Sequence, residues 1–253
     1  MPPTTVDYRR DGDVVTLTLN RPTVMNSLSL ALCRDLNAAL DRAERDDGVR
    51  CLVLTGTGRG FCAGQDLGET EVLSNPDAGY VLEHHYNPLV LRLRALPLPI
   101  VCAVNGTAAG AGVSLALACD LVLAARSARF IQAFVRIGLV PDLGSTWMLP
   151  RLIGEARARA LAITGEAIDA EQAAAWGLIW SCVEDAELAA TAQALAARLA
   201  AMPTRAIGLI KQAFTRGATN DLETQLALER GLQREAGASA DAREGIKAFA
   251  AAD

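Results

Sequence analysis

The chain has 253 residues, 51% hydrophobic and 21% charged, which is the balance of a packed globular protein that needs no disulfide staples. Its formal net charge is −5 and its basic residues are dispersed, which argues against nucleic acid as the main partner. No apolar run reaches the ~20 residues needed to cross a bilayer, and Met1-Pro-Pro-Thr-Thr-Val-Asp7 is no basic-then-apolar leader. No membrane partner is expected, and the expected location is the cytoplasm. Six cysteines lie mostly inside apolar runs, with no Cys-x-x-Cys pair, so buried reduced thiols are expected and a zinc or redox site is not. Nearly all the basic residues are arginine; the lysines are Lys211 and Lys247.

In chain order, Val14–Leu19 alternates apolar residues with threonines, as a strand does. Residues 29–44 place Leu30, Cys33, Leu36 and Leu40 at helical spacing, with Ser27 or Ser29 as N-cap. Residues 50–55, Ile100–Val104 and Leu121–Ala125 are short continuous apolar runs bounded by Gly, Pro or Asp, which suits strands buried on both faces. Helical stretches fall between them, at about 74–95 and 110–118. From Gly154 onward, Glu155–Thr164, 169–175, 187–202, 203–216, 222–236 and 239–250 read as helices, with a strand at 178–183. The pattern predicts an α/β core at about 1–195 and a helical C-terminal region at about 196–253. That second apolar helical layer is too large for a lid alone and is expected to form part of a subunit interface.

Two glycine-rich segments stand out. In Gly58-Arg-Gly-Phe-Cys-Ala-Gly-Gln-Asp-Leu67 a buried strand runs into a loop with three glycines, either a plain turn or a place where backbone meets a ligand closely. No Gly-Lys-Ser/Thr follows, so it is not a phosphate-binding Walker loop. In the segment from Ile100 to Asp120 a strand ends near Asn105-Gly106, and Gly110, Ala111 and Gly112 open an apolar helix. A helix start presents unpaired N–H groups, and a phosphate site competes with other readings. The glycine spacing does not match the dinucleotide fingerprint. Two such donors converging on one oxygen would form an oxyanion hole, each typically worth about 2.7–4 kcal/mol in the transition state.

Together, Phe61-Cys-Ala-Gly-Gln-Asp-Leu67, Ala103-Val-Asn-Gly106 and Gly110-Ala-Gly112 resemble the crotonase superfamily of enoyl-CoA hydratases and isomerases. The resemblance extends to Asn20-Arg-Pro22, Asn26-Ser-Leu28, Trp176-Gly-Leu178 and Glu244-Gly-Ile-Lys-Ala-Phe249, and so covers nearly the whole chain. It implies a ββα spiral core with a C-terminal helical trimerisation region, assembled as a homotrimer or a dimer of trimers. It implies an acyl-CoA substrate, with coenzyme A present as part of that substrate and no tightly bound cofactor or metal. The oxyanion donors it implies are the N–H groups of Gln65 and Ala111. The loop with Thr23, Met25 and Ser27 would bind the coenzyme A moiety. So would Ala63, Gln65, Asp66, Leu67 and Gly68, with Gly110 and Ala111 at the thioester. Thr23 stands where relatives often carry a basic residue, and Phe249 is followed by Ala250-Ala-Ala-Asp253 rather than a basic tail. Phosphate contacts would then fall to arginines such as Arg21 or Arg59, or be weak.

Hydratases of this family place two glutamates around the double bond. Those positions fall on Ser114 and Phe134, neither a carboxylate. Asp142, in Gly138-Leu-Val-Pro-Asp-Leu-Gly-Ser-Thr-Trp147, has the apolar neighbours Ile137, Leu139, Val140, Leu143 and Trp147. Desolvation there would raise its carboxyl above the ordinary value of about 3.9 and make it a better proton carrier. The alternative role is N-cap of the following helix. The stretch from Ala128 to Phe134, followed by Ile137-Gly-Leu-Val-Pro-Asp142, resembles the 1,2-epoxyphenylacetyl-CoA isomerases of the phenylacetate pathway and related Δ3,Δ2-enoyl-CoA isomerases. In those enzymes an aspartate at this position shuttles the proton. The expected activity is therefore an enoyl-CoA isomerase with Asp142 as shuttle. A hydratase in which Asp142 activates water, or a non-catalytic acyl-CoA-binding member, are the alternatives. His84-His85, Tyr80 and Tyr86 read as pocket lining or ordinary packing, and Ser114 has no nucleophile elbow around it.

Overall fold

The computed structural model describes residues 4–69, 77 and 79–250. Part of the 74–95 helix expectation (residues 74–76 and 78) falls outside these residues, as do 1–3 and 251–253 at the two ends. Among the described residues, ten strands form two sheets. The larger contains β1 (Val6–Asp11), β2 (Val14–Leu19), β3 (Cys51–Gly56), β5 (Ile100–Val104), β7 (Leu121–Ala125) and β10 (Ser181–Val183), in that spatial order. It is parallel except for the β1–β2 pair. The smaller runs β4 (Gly60–Cys62), β6 (Thr107–Ala109), β8 (Arg129–Ile131) and β9 (Ala167–Asp169).

Chain order explains this arrangement. β3 and β4, β5 and β6, and β7 and β8 are consecutive pairs, and each pair gives its first strand to the large sheet and its second to the small one. A helix then returns the chain to the next turn: α2 (Asn87–Ala95), continuous with a π-helical segment Leu82–Tyr86, and α3 (Ala111–Leu117). This is the ββα spiral. Every residue of β5 is buried, as expected for a strand covered on both faces. α1 (Leu30–Glu44) starts on Ser29, whose hydroxyl accepts from the Leu32 N–H, and buries Leu32, Cys33, Leu36 and Leu40.

The turns of the spiral stack backbone on backbone. A methyl group added to Gly112 would lie 2.1 Å from the Cys62 carbonyl oxygen, so only glycine lets α3 sit against β4. The second half follows with α4 (Ser145–Ile153), α5 (Glu155–Thr164), α6 (Ala170–Trp176) and α7 (Leu188–Ala200). α7 packs across β3 and β5, burying Leu188, Ala192, Ala196 and Ala200 at four-residue spacing; small side chains let it lie close to the sheet. The expected boundary at 195 thus falls inside a helix of the core layer. Burial stops after Ala200. α8 (Thr204–Gly217), α9 (Leu222–Gly237) and α10 (Ala240–Ala250) bury no residue completely. α8 is tied back by Lys211, which donates to the Leu98 carbonyl at 2.8 Å and pairs with Asp120 at 2.7 Å.

The six cysteines are free; five are buried and Cys182 is half-buried. Among the described residues no helix is long and apolar enough to cross a membrane. Gly112→Ala should destabilise the fold by about 1–3 kcal/mol or more in urea unfolding, since the added methyl meets rigid backbone. A change within about 0.5 kcal/mol would show that the contact yields.

Candidate active site

The loop after β4 is held against the start of the chain by a short parallel bridge between Leu28 and Gln65. Leu28 N–H donates to the Gly64 carbonyl at 2.7 Å, and Asp66 N–H donates to the Leu28 carbonyl at 2.9 Å. The Leu28 carbonyl also accepts from the hydroxyl of Tyr86, which is fully buried in the π-helical segment. One turn earlier, Ala63 N–H donates to the Met25 carbonyl at 3.0 Å. Met25 and Asn26 both take left-handed backbone, with φ of 48° and 57°. Asn26 is completely buried, and its amide bonds the Thr57 and Gly60 carbonyls while its oxygen accepts from the Arg21 N–H. The Asn26-Ser-Leu28 motif is therefore the scaffold of the loop.

Gly64 brings this loop onto the corner between β6 and α3. Its φ is +94°, and a methyl there would lie 2.8 Å from the Ala109 carbonyl and 3.5 Å from the Ala111 nitrogen. The residue after Gly64 is Gln65, so the Ala111 peptide lies against the backbone one residue before Gln65. Among the described residues, no hydrogen bond of these loops uses the N–H of either one. Such a pair can receive one carbonyl oxygen. Ala111 is buried and Gln65 half-buried.

The residues expected around coenzyme A divide into two groups. Thr23, Leu67 and Gly68 are exposed at the rim, and Met25, Ala63 and Asp66 are half-buried between the two loop segments. Ser27 is buried, with its hydroxyl donating to the Val24 carbonyl, and Gly110 is buried beneath the phenyl ring of Phe134. Arg21, one of the arginines expected to contact phosphate, is engaged within the site. Its guanidinium bonds the Ser27 carbonyl at 2.6 Å and pairs with Asp66 at 2.7 Å, clamping the two loops together. Burial pushes the Asp66 carboxyl up, but Arg21 and the Gly68 N–H outweigh it and hold it below the usual range. Arg59 is exposed.

Asp142 does not cap a helix. α4 starts from Gly144 with no side-chain cap bond. Asp142 instead opens a tight turn in which Leu143 and Gly144 both have positive φ, 48° and 81°, and the Ser145 N–H donates to the Asp142 carbonyl at 2.9 Å. Its Oδ1 is buried without a hydrogen-bond partner among the described residues. Desolvation pushes the carboxyl up to about 7, opposed only by its own backbone. Ser114, fully buried on α3, donates to the Asp142 carbonyl at 3.0 Å and shares a 2.6 Å bond with Ser145. Gln132 reaches Ser145 at 3.5 Å. These links of Ser145 and Gln132 to the aspartate carry no motif in the sequence.

Tyr80 is exposed and stacks on His84, whose ring nitrogen lies 2.9 Å from the Tyr80 carbonyl, so this pair forms a surface feature. A cavity of about 890 Å3 opens between α2, α4, α8 and α9. It reaches Gly144, Trp147 and Met148 but is lined by neither Gln65 nor Ala111 and not by Asp142.

Residues 9–252 match the family described as enoyl-CoA hydratase/isomerase. The chain is 56% identical over 241 residues to a 1,2-epoxyphenylacetyl-CoA isomerase of Escherichia coli, covering 94% of this chain and 92% of that one. It is 49% identical to a probable enoyl-CoA hydratase of Rhodobacter capsulatus, covering 97% and 94%. Among solved structures, a putative enoyl-CoA hydratase/isomerase from Mycobacterium abscessus superposes with a TM-score of 0.91 at 38% identity, covering 98% and 97%.

The raised Asp142 carboxyl has a consequence for stability. As pH rises from the ordinary carboxyl value of 3.8, the unfolded chain releases this proton first, while the folded chain holds it to about 7. Its contribution is therefore full below 3.8 and lost by about pH 7. Asp142→Asn cannot ionise and should exceed the parent in unfolding free energy by about 1–3 kcal/mol at pH 8 but not at pH 4. Equal stability of the two proteins at both pH values would contradict a desolvated carboxyl.

Proposed function

The chain belongs to the enoyl-CoA hydratase/isomerase family, and on that premise we propose that it is an isomerase. It shifts the double bond of an enoyl-CoA or isomerises a ring-derived acyl-CoA. The observation that carries this reading is the Asp142 carboxyl, whose Oδ1 is buried without a hydrogen-bond partner among the described residues and which is raised to about 7. Such a group is poised to take and return a proton near neutral pH.

The thioester carbonyl sits against the N–H groups of Gln65 and Ala111. Ionised Asp142 removes a proton from C2, and the C–H electron pair spreads over the thioester oxygen and the C3–C4 double bond as a dienolate. The same carboxyl, now protonated, delivers the proton to C4, leaving the double bond between C2 and C3. No co-reactant is needed, and one carboxyl acts first as base and then as acid. Coenzyme A enters as part of the substrate, held by Thr23–Ser27 and Ala63–Gly68. Ser114 and Phe134, at the glutamate positions of hydratases, supply no second carboxylate to direct water. The likeness to a relative named as an isomerase supports the same reading. A hydratase reading, with Asp142 activating water, is favoured by the name of the 49% identical relative.

The assembly we propose is a homotrimer or dimer of trimers built on α8–α10, which expose Ile210, Phe214, Leu222, Leu226, Ile246 and Phe249. A monomeric mass by light scattering at micromolar concentration would overturn it.

The functional test sets a 3-enoyl-CoA beside a 2-enoyl-CoA. The expected result is conversion of the first to the second, with kcat/KM rising through pH about 7 as Asp142 ionises. Asp142→Asn should lose about 10²–10⁴-fold in turnover while still binding the CoA ester. Hydration of the 2-enoyl-CoA to a chiral 3-hydroxyacyl-CoA as the main reaction would favour the hydratase. Binding without exchange of C2 protons would leave only a CoA-ester-binding protein.

A further inference from the structure

We propose that Ser114 is a positioning residue for Asp142, tying the aspartate's peptide to the same helix that supplies the Ala111 N–H. The inference rests on the reading of Asp142 as proton shuttle and concerns how that carboxyl is held.

Among the described residues, no side chain and no other residue's backbone bonds the Asp142 carboxyl. Among the described residues, the hydrogen bonds that hold it are therefore those of its own peptide. Two donors meet on the Asp142 carbonyl oxygen, the Ser145 N–H at 2.9 Å and the Ser114 hydroxyl at 3.0 Å. The first merely closes the turn. The second reaches across to a different element, α3.

Proton counting fixes the direction of the bonds. A serine hydroxyl has one proton, and a carbonyl oxygen can only accept. Ser114 spends its proton on Asp142, so the 2.6 Å bond between the two serines carries the proton of Ser145. Ser145 Oγ in turn accepts from Gln132 Nε2. The chain runs one way, from Gln132 through Ser145 and Ser114 to Asp142. Gln132, Ser114 and Ser145 are all buried, so water does not compete for these bonds.

The turn needs such a clamp. Leu143 has a φ of 48°, a left-handed conformation that costs a non-glycine residue on the order of 1–2 kcal/mol. Ala111 and Ser114 lie three residues apart on α3 and so share a face, and all seven residues of that helix are buried. One rigid element thereby holds the enolate oxygen at its first residue and the aspartate's peptide at its fourth. The shuttle must serve two carbons while the thioester oxygen stays in place, so the distance between these anchors matters to the rate. A displacement of about 1 Å can cost about 100-fold.

The test measures isomerisation of a 3-enoyl-CoA, with solvent deuterium exchange at C2, for the full-length protein and the variants Ser114→Ala, Ser114→Thr and Asp142→Asn. Ser114→Ala should lower kcat about 10- to 100-fold with KM little changed, and Ser114→Thr, which restores the hydroxyl, should recover most of the loss. In the Asp142→Asn background Ser114→Ala should add no further loss of exchange, because the group it positions is gone. A purely structural serine would lower the melting temperature and leave kcat per folded site unchanged, and that result overturns the proposal. Should Ser114→Ala not fold, Ser114→Cys replaces the hydroxyl with a weak donor, and wild-type kcat in it is equally contrary. If Asp142→Asn itself keeps full turnover, the shuttle reading falls and takes this proposal with it. If Asp142→Asn is inactive but Ser114→Ala is not, only the positioning role fails.

Discussion

Where the loop after β4 crosses the β6–α3 corner, peptide lies directly against peptide. A methyl at Gly112 would sit 2.1 Å from the Cys62 carbonyl, and one at Gly64 would sit 2.8 Å from the Ala109 carbonyl. No side chain separates these segments, so their spacing is as fixed as the backbone itself. Two donors set in this way require no rotamer to be frozen and cost no reorganisation during reaction. The bridge between Leu28 and Gln65, the buried Asn26 amide, the Tyr86 hydroxyl and the Arg21–Asp66 pair all hold that crossing from outside.

Asp142 is held differently. Its carboxyl is desolvated, without a partner for Oδ1 among the described residues, and the turn that presents it carries a strained Leu143. Strain and desolvation both destabilise the folded chain, and both are tolerated because the β-strand layers and α7 bury a large core beneath them. The fold thus separates two tasks. In the proposed reaction, rigid backbone supplies the electrostatic half of the site and the Asp142 side chain supplies proton transfer.

The sequence showed the large sheet more clearly than the small one. Val14–Leu19, Ile100–Val104 and Leu121–Ala125 stand in the structure where their apolar runs place them, and Ser29 caps α1. The strands of the small sheet contain three residues each, too few to display a period of two. β1 was hidden for another reason: as an edge strand it is largely exposed, and Val6-Asp-Tyr-Arg-Arg-Asp11 reads as polar loop. The spiral follows from the pairing of short strands with long ones, which no local pattern encodes. At the site, the close backbone approach at the glycines and the desolvation of Asp142 were legible, the first because only glycine permits it and the second from the apolar run around the carboxyl. The cap reading of Asp142 failed because the positive φ of Leu143 moves the helix start to Gly144. Ser145 and Gln132 were not legible, since a buried hydroxyl and a buried amide look like any others until their partners are placed. Arg21 seemed free in one dimension and proves to be bound on two sides.

In the proposed complex two backbone N–H groups, those of Gln65 and Ala111, grip the thioester oxygen. The direct measurement is isotope-edited infrared spectroscopy of a CoA ester labelled with carbon-13 at the thioester carbonyl, free and bound. Polarisation by two donors weakens the carbonyl bond, so its stretch should move to lower wavenumber on binding and stay there in Asp142→Asn. A bound ester whose carbonyl stretch does not move would contradict the account.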